Sequence, residues 1–201
     1  MKDRKPDVCI CGIVAVGPNN VIGRDGAMPW HSKQDFWHFK HVTMGCPCIF
    51  GKTTYENLPK KPLPGRLNIV CSSSYKIERQ GDVIRVPSLE EAIKQSAKGQ
   101  TSFVPGVGIV MYDFHRVFIC GGAVLYKYAL DHDLIDVMYV TKIHNEQLEK
   151  EVRENPNAFT CLPYKFDKSK WRKTRIRYQK QLLPEETSAT KAVFYKYSRT
   201  R

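Results

Sequence analysis

The sequence predicts an α/β fold: one domain over residues 1–201, a mostly parallel central sheet with an antiparallel C-terminal strand or hairpin, and helices on both faces. Three observations predict it. Short continuous apolar runs of strand length recur at 8–16, 47–50, 67–71 and 117–120, the pattern of strands buried on both faces. Helix-start signals alternate with these runs as far as residue 143. Strand patterns alone finish the chain, and 171–181 with 192–197, separated by Pro184-Glu-Glu-Thr-Ser188, reads as an antiparallel hairpin.

Taken in order, the run 8–16 is broken by Gly17-Pro-Asn-Asn20. Residues 21–26 read as a glycine-punctuated loop leading into Met28-Pro-Trp30, long enough to move and apolar enough to close over a ligand. Ser32 followed three residues later by Asp35 is a capping box, which starts a helix near Lys33 and runs it to about Met44. Helical spacing puts Phe36, Phe39 and Thr43 on one face with Asp35, so an acid stands beside two aromatic rings. A first-turn acid can serve the cap and the helix dipole alone. The apolar loop just before it points instead to a lined pocket.

Gly51-Lys-Thr-Thr54 follows the second apolar run. A P-loop would need glycine five positions before Gly51, and Cys46 stands there, so the nucleoside-triphosphatase reading fails. What remains is a helix start with amides, two hydroxyls and a lysine, suited to phosphate. Pro62-Leu-Pro-Gly-Arg66 is a turn, 67–71 and 82–86 are strands, and Ser88 with Glu91 caps a second helix to about Lys98. Residues 99–112, rich in glycine, read as a surface loop. After 117–120, Gly121-Gly122 opens a helix to Leu130, and paired glycines allow close backbone approach to a ligand. A strand over 134–143 precedes a polar, acidic stretch at 145–157 and a further strand near Phe159.

The net charge of +12 invites a polyanion-binding reading, but the surplus is spread along the chain. Its one dense run, 165–180, alternates from Trp171 on like a strand with a charged outer face, so nucleic acid is not the expected partner. No apolar stretch approaches a membrane span, and the charged first seven residues lack the apolar core of a signal peptide, so a cytoplasmic protein is expected. Seven cysteines, mostly inside apolar runs, read as small reduced hydrophobes. Cys9/Cys11 and Cys46/Cys48 lack zinc spacing, and no metal is expected.

Assembled in order, Ile13-Val-Ala-Val16, Val21-Ile-Gly23, Met28-Pro-Trp30, Asp35 with Phe36 and Phe39, Gly51-Lys-Thr-Thr54, Leu63-Pro-Gly-Arg66, Ser72-Ser73, Gly121-Gly122 with Tyr126, and Tyr139-Val-Thr141 resemble the dihydrofolate reductase family over nearly the whole chain. The resemblance implies NADPH-dependent reduction of 7,8-dihydrofolate to tetrahydrofolate, with 2,4-diamino antifolates as inhibitors and a monomeric enzyme. It makes Asp35 the acid that grips the 2-amino and N3 edge of the pterin, oriented by Thr141. It has Trp30 hold a water near the pterin carbonyl and Met28 belong to the mobile loop. Ile13 and Cys120 line the other edge through their carbonyls, with Val14 beside them. Phe36, Phe39, Leu58 and Leu63 form the apolar wall, and Arg66 pairs with the α-carboxylate of the glutamate tail.

For the cofactor, the resemblance implies Ala15, Ile22 and Gly23 around the nicotinamide, with Gly121-Gly122 in a cis peptide and Tyr126 near the ribose. Gly51, Lys52, Thr53 and Thr54, with Ala123, Val124 and Leu125, supply groups for the phosphates. Cys71, Ser72 and Ser73 with Lys52 favour the 2′-phosphate. Thr53 departs from the second basic residue of many relatives, and Cys120 from their Ile or Val. Two other readings stand beside it: a same-fold reductase of another pterin or of a riboflavin-pathway pyrimidine, and an inactive basic RNA-binding protein.

Overall fold

The computed structural model describes residues 8–98, 101–104, 108–111, 113, 115–186 and 189–200. Its centre is a nine-stranded sheet. The chain enters as β1 (Cys9–Val16) and β2 (Val21–Gly23), then α1 (Lys33–Thr43), β3 (Cys48–Gly51), α2 (Lys52–Glu56) and β4 (Asn68–Cys71). It continues through β5 (Glu78–Gln80), β6 (Val83–Val86), α3 (Leu89–Ser96), β7 (Thr101–Val104), β8 (Gly108–Met111) and β9 (Arg116–Gly121). It closes with α4 (Ala123–Asp131), β10 (Val137–His144), α5 (Glu146–Glu154), β11 (Thr160–Cys161), β12 (Trp171–Ile176) and β13 (Lys191–Arg199).

The strand order is β12-β13-β10-β1-β9-β3-β4-β6-β5. The six strands from β10 to β6 are parallel, and β13 and β12 add antiparallel at one margin. The chain moves outward from β1 to β6, returns to insert β9 between β1 and β3, and then places β10 on the far side of β1. That reversal puts the topological switch point, where ligands bind in open α/β sheets, beyond the C-terminal ends of β1 and β9.

Period-two alternation divides the core. Ile10, Val14 and Val16 of β1, Ile49, Val117, Ile119, Met138 and Val140 pack toward α3 and α4. Cys11, Ile13, Cys48, Phe50, Phe118 and Tyr139 point the other way, toward Phe39 and Val42 of α1. The layers predicted on both faces are therefore present, and parity along each strand decides which residues can reach the crevice. Burying Phe50 and Phe118, each at most 1% exposed, contributes roughly 1.5–3 kcal/mol apiece.

The serine half of both predicted capping boxes forms: Ser32 Oγ accepts the Asp35 amide at 3.1 Å and Ser88 Oγ the Glu91 amide at 3.2 Å. Several expectations are corrected. The loop at 21–26 contains β2, which pairs with β11. The acidic stretch at 145–157 holds α5, capped by Asn145, whose Oδ1 accepts the Leu148 amide at 2.9 Å. Only Leu148 and Val152 are buried on that helix, too few apolar positions to register as a periodic face. The loop read at 99–112 contains the antiparallel pair β7–β8, while Gly99, Pro105, Gly106 and Tyr112 lie outside the described residues. β5 makes a second antiparallel margin, and β12 stops at Ile176. Arg172, Lys173, Thr174 and Arg175 on β12 are all exposed, so the middle of the dense basic run lies on the outermost strand of the sheet.

Candidate active site

Asp35 sits in the first turn of α1 and is only 8% exposed. Register places Thr141 of β10 beside Ala15 of β1 and opposite Phe194 of β13, and parity turns Thr141 toward α1. The Thr141 hydroxyl hydrogen-bonds the Asp35 carboxylate. Burial raises the Asp35 pKa from 3.8 to about 6; the Thr141 bond opposes the rise and the Glu186 carboxylate adds to it. A buried acid that titrates near neutrality, inside a crevice, marks a functional site on physical grounds.

Around it the expected wall takes shape. Trp30 is buried against Val21, Ile143, Leu148 and Val152, and its Nε1–H has no hydrogen-bond partner among the described residues. Such a donor wants a water or ligand acceptor. Tyr126 of α4 reaches across the sheet and donates its hydroxyl to the Ile13 carbonyl at 2.5 Å. Phe39, Leu58, Leu63 and Cys120 pack in one cluster on the α1 face, and Phe36 is half-buried beside His31. Val14 has the opposite parity: its side chain lies in the core under α3 and α4, so only its main chain can face the crevice.

Arg66 is 4% exposed, and burial lowers its pKa. Its Nη1 donates to Thr43 Oγ1 at 3.3 Å, its Nε to the Pro64 carbonyl at 3.2 Å, and its guanidinium lies 5.7 Å from the Phe39 ring centre. Among the described residues it has no carboxylate partner. The turn that holds it depends on Asn68, fully buried, whose Nδ2 donates to the carbonyls of Leu63 and Arg66 and whose Oδ1 accepts the Leu63 amide. Sequence reading passed over Asn68, which looks like an ordinary strand residue.

The loop before α1 turns tightly at Arg24-Asp25-Gly26-Ala27, with positive φ at Asp25 and Gly26. Arg24 pairs with Glu151 of α5 at 2.8 Å, and Asn57 donates to the Gly26 carbonyl at 3.0 Å. Met28, 41% exposed, and Gly23, paired with Thr160, belong to this tethered segment.

The predicted nucleotide residues gather along the C-terminal ends of β3, β4 and β9. Gly121 and Gly122 have φ of +147° and +56°, and their peptide bond is trans, which corrects the cis bond expected there. Gly122 donates its amide to Thr54 Oγ1 at 3.2 Å, so the hydroxyl of Thr54 holds the glycine pair. A Cβ on Gly121 would lie 2.8 Å from Thr54 Cγ2. α4 starts on Gly122 with no side-chain cap and no acid in its first turn, and Val124 there is 80% exposed. An anion fits that helix end. Lys52 is exposed, with Nζ 4.0 Å from Glu56 and 5.6 Å from the Tyr75 ring centre. Thr53 and Ser73 are exposed and Ser72 half-buried, its Oγ 2.9 Å from Ser74 Oγ. Cys71, by contrast, is core, with its thiol directed to the Ser88 carbonyl, and Leu125 and Ile22 pack onto that core. Gly51, the residue before α2, opens the same margin.

Fold and site together define an open α/β protein with a buried carboxylate on one side of the switch point and a glycine-paired helix start on the other. A profile of the family described as Dihydrofolate reductase matches residues 9–199. The chain belongs to the dihydrofolate reductase family. It is 35% identical to the dihydrofolate reductase type 3 of Salmonella typhimurium over 65% of this chain and 69% of that one. It is 32% identical to the dihydrofolate reductase of Bacillus subtilis over 80% and 78%. A solved structure of dihydrofolate reductase from Enterococcus faecalis, complexed with NADP(H) and RAB-propyl, superposes with a TM-score of 0.67 at 25% identity, covering 96% of this chain and 97% of that one.

Proposed function

We infer that the chain reduces 7,8-dihydrofolate to 5,6,7,8-tetrahydrofolate with NADPH, and that the residues gathered in the crevice do so in the roles their geometry suits. The observation that carries this reading is the buried Asp35 in the first turn of α1, with Thr141 beside it, together with the buried Arg66 over Phe39 of the same helix, which has no carboxylate partner among the described residues. One charge suits each end of a folate. Asp35 accepts from the 2-amino group and N3–H of the pterin, and Thr141 fixes its orientation. The Ile13 and Cys120 carbonyls take the opposite edge. Phe36, Phe39, Leu58 and Leu63 exclude water from the ring and benzoyl group, and Arg66 holds the α-carboxylate.

The cradle fits NADPH. Lys52, Thr53, Thr54, Ser72 and Ser73 would hold the phosphates, the 2′-phosphate included, with the first amides of α4. Ala15, Ile22, Gly121 and Tyr126 would border the nicotinamide. When bound, NADPH supplies the hydride that reaches C6 of dihydrofolate. The protein's share is alignment and exclusion of bulk water. Asp35 binds and polarises the pterin, the Trp30 indole holds a water near its carbonyl, and the proton at N5 comes from water admitted past Met28. Diamino antifolates compete for Asp35. Among the described residues no helix is long and apolar enough to cross a membrane. We place the enzyme in the cytoplasm as a monomer.

The test is loss of NADPH absorbance on adding dihydrofolate, with inhibition by a 2,4-diaminopteridine. No turnover by the folded protein would refute the assignment. Arg66→Met tests the substrate's other end. It is expected to raise KM for dihydrofolate about 100-fold with little change in kcat, because the lost ion pair acts equally in ground and transition states. Binding of a small pterin without a glutamate should not change, and an equal loss for both ligands would show that Arg66 only shapes the pocket.

A further inference from the structure

The connection between β12 and β13 does more than join two strands. It lies along α1 and clasps the helix at three places. His38 Nδ1 is 2.7 Å from the Tyr178 hydroxyl, Gln34 Nε2 donates to the Pro184 carbonyl at 3.2 Å, and Glu186 covers the helix N-terminus. Glu186 Oε2 accepts the Lys33 amide at 3.0 Å, and Oε1 accepts the Gln34 amide at 3.0 Å together with the Ser32 hydroxyl. Having donated its proton to Glu186, the Ser32 oxygen accepts from the Asp35 amide at 3.1 Å. The Phe36 amide bonds the Ser32 carbonyl at 3.1 Å, so every amide of the first turn is satisfied, and Glu186 supplies two of the partners.

We propose that Glu186 is a positioning residue for the substrate-binding acid: it fixes the first turn of α1 through Ser32 and supplies the anion that occupies the helix end, so that Asp35 does not have to. An N-cap needs only Ser32. The second carboxylate, brought from 151 residues beyond Asp35, is therefore not required to start the helix. Its effect on Asp35 has two parts of the same sign. It neutralises the positive end of the helix, which would otherwise stabilise the Asp35 carboxylate, and it repels that carboxylate directly. Other groups facing Asp35 are uncharged near neutral pH: Thr141 from β10, and from α4 the Tyr126 phenol, whose pKa is raised well above 10 by burial. On α1 itself, burial lowers the pKa of His38 to about 4, leaving it neutral as well.

This inference rests on the reading of Asp35 as the pterin-binding acid, and its test separates the two. The Asp35 carboxyl is followed by carbon-13 NMR across pH in the wild type, Glu186→Gln and Glu186→Asp, its signal identified by loss in Asp35→Asn. Glu186→Gln should move the Asp35 midpoint to lower pH by about half a pH unit. Glu186→Asp, which keeps the charge, should restore most of the shift. The ionisation seen in kcat/KM for dihydrofolate should move in the same direction. An Asp35 midpoint in Glu186→Gln equal to that of the wild type overturns the proposal, as does an equal fall in Glu186→Asp, because a loosened helix alone would then be the cause. Absence of dihydrofolate turnover in the wild type would refute the functional reading, and the NMR midpoints would still decide the role of Glu186.

Discussion

Asp35→Asn is expected to lower kcat/KM for dihydrofolate by roughly 10²- to 10³-fold and at the same time to make the folded protein more stable at pH 7. The loss follows from removing one partner of a buried, charge-assisted pair with the pterin, which costs about 2–5 kcal/mol. The gain follows from linkage. With a folded pKa near 6 against 3.8, Asp35 holds its proton more tightly in the native state. Its ionisation therefore destabilises the fold progressively from pH 4 to 6, by on the order of 3 kcal/mol when complete. Asparagine carries no such cost and can still accept from Thr141.

The same substitution should expose a second titration one helical turn away. His38 is fully buried and neutral, with its pKa lowered from 6.5 to about 4, so the unfolded chain binds the proton first and acid destabilises the fold between those values. In the wild type the two slopes run in opposite directions from pH 4 to 6 and largely offset each other. In Asp35→Asn only the histidine slope remains, and urea-unfolding free energies should rise with pH across that window. A flat profile in the variant would contradict a buried, neutral His38, and stability at pH 7 below that of the wild type would contradict a raised pKa at Asp35.

Gly121→Ala should cost about 1–3 kcal/mol of stability and weaken NADPH binding by at least tenfold, with a smaller effect on antifolate binding to the cofactor-free enzyme. Two causes are separable. A φ of +147° is one that alanine rarely adopts, and the new Cβ would meet Thr54 Cγ2 at 2.8 Å. Thr54 cannot turn away freely, because its Oγ1 is the acceptor for the Gly122 amide. Adding Thr54→Ser removes the methyl group and keeps the hydroxyl. The double variant should therefore recover the steric part of the loss and leave the backbone part. Full recovery would mean that backbone strain at Gly121 counts for nothing, and no recovery would mean that the methyl contact does not matter. Thermal melts and a nucleotide fluorescence titration read both quantities.

Much of this site can be read from the chain because its strongest signals are local. Ser32 and Asp35 announce a capped helix, and Gly121-Gly122 at the end of an apolar run announces a close approach. The ordered set of short motifs then carried the family. What could not be read depends on distance. Glu186 lies 151 positions from the acid it faces, and nothing near it in sequence says that it caps a helix. His38 and Tyr178 look like surface residues until the β12–β13 connection brings them together. Val14 was grouped with Ile13 by adjacency, whereas strand parity sends the two side chains to opposite layers. α5 was missed for lack of apolar positions, although Asn145 and two first-turn glutamates are ordinary helix-start signals.

The basic edge at β12 bears on how copies of this chain behave together. An outermost strand leaves a row of backbone donors and acceptors unpaired, which is a template for another chain to add to. Here that row is flanked by the exposed Arg172, Lys173 and Arg175, on a molecule whose net charge is already +12. Two such edges cannot approach without bringing cations face to face. At the opposite margin β5 is only three residues long and fully exposed, too short to nucleate a ladder. Edge-to-edge association is therefore expected to be weak at low ionic strength and to rise with added salt, which screens these charges; light scattering of concentrated protein across a salt series reads it.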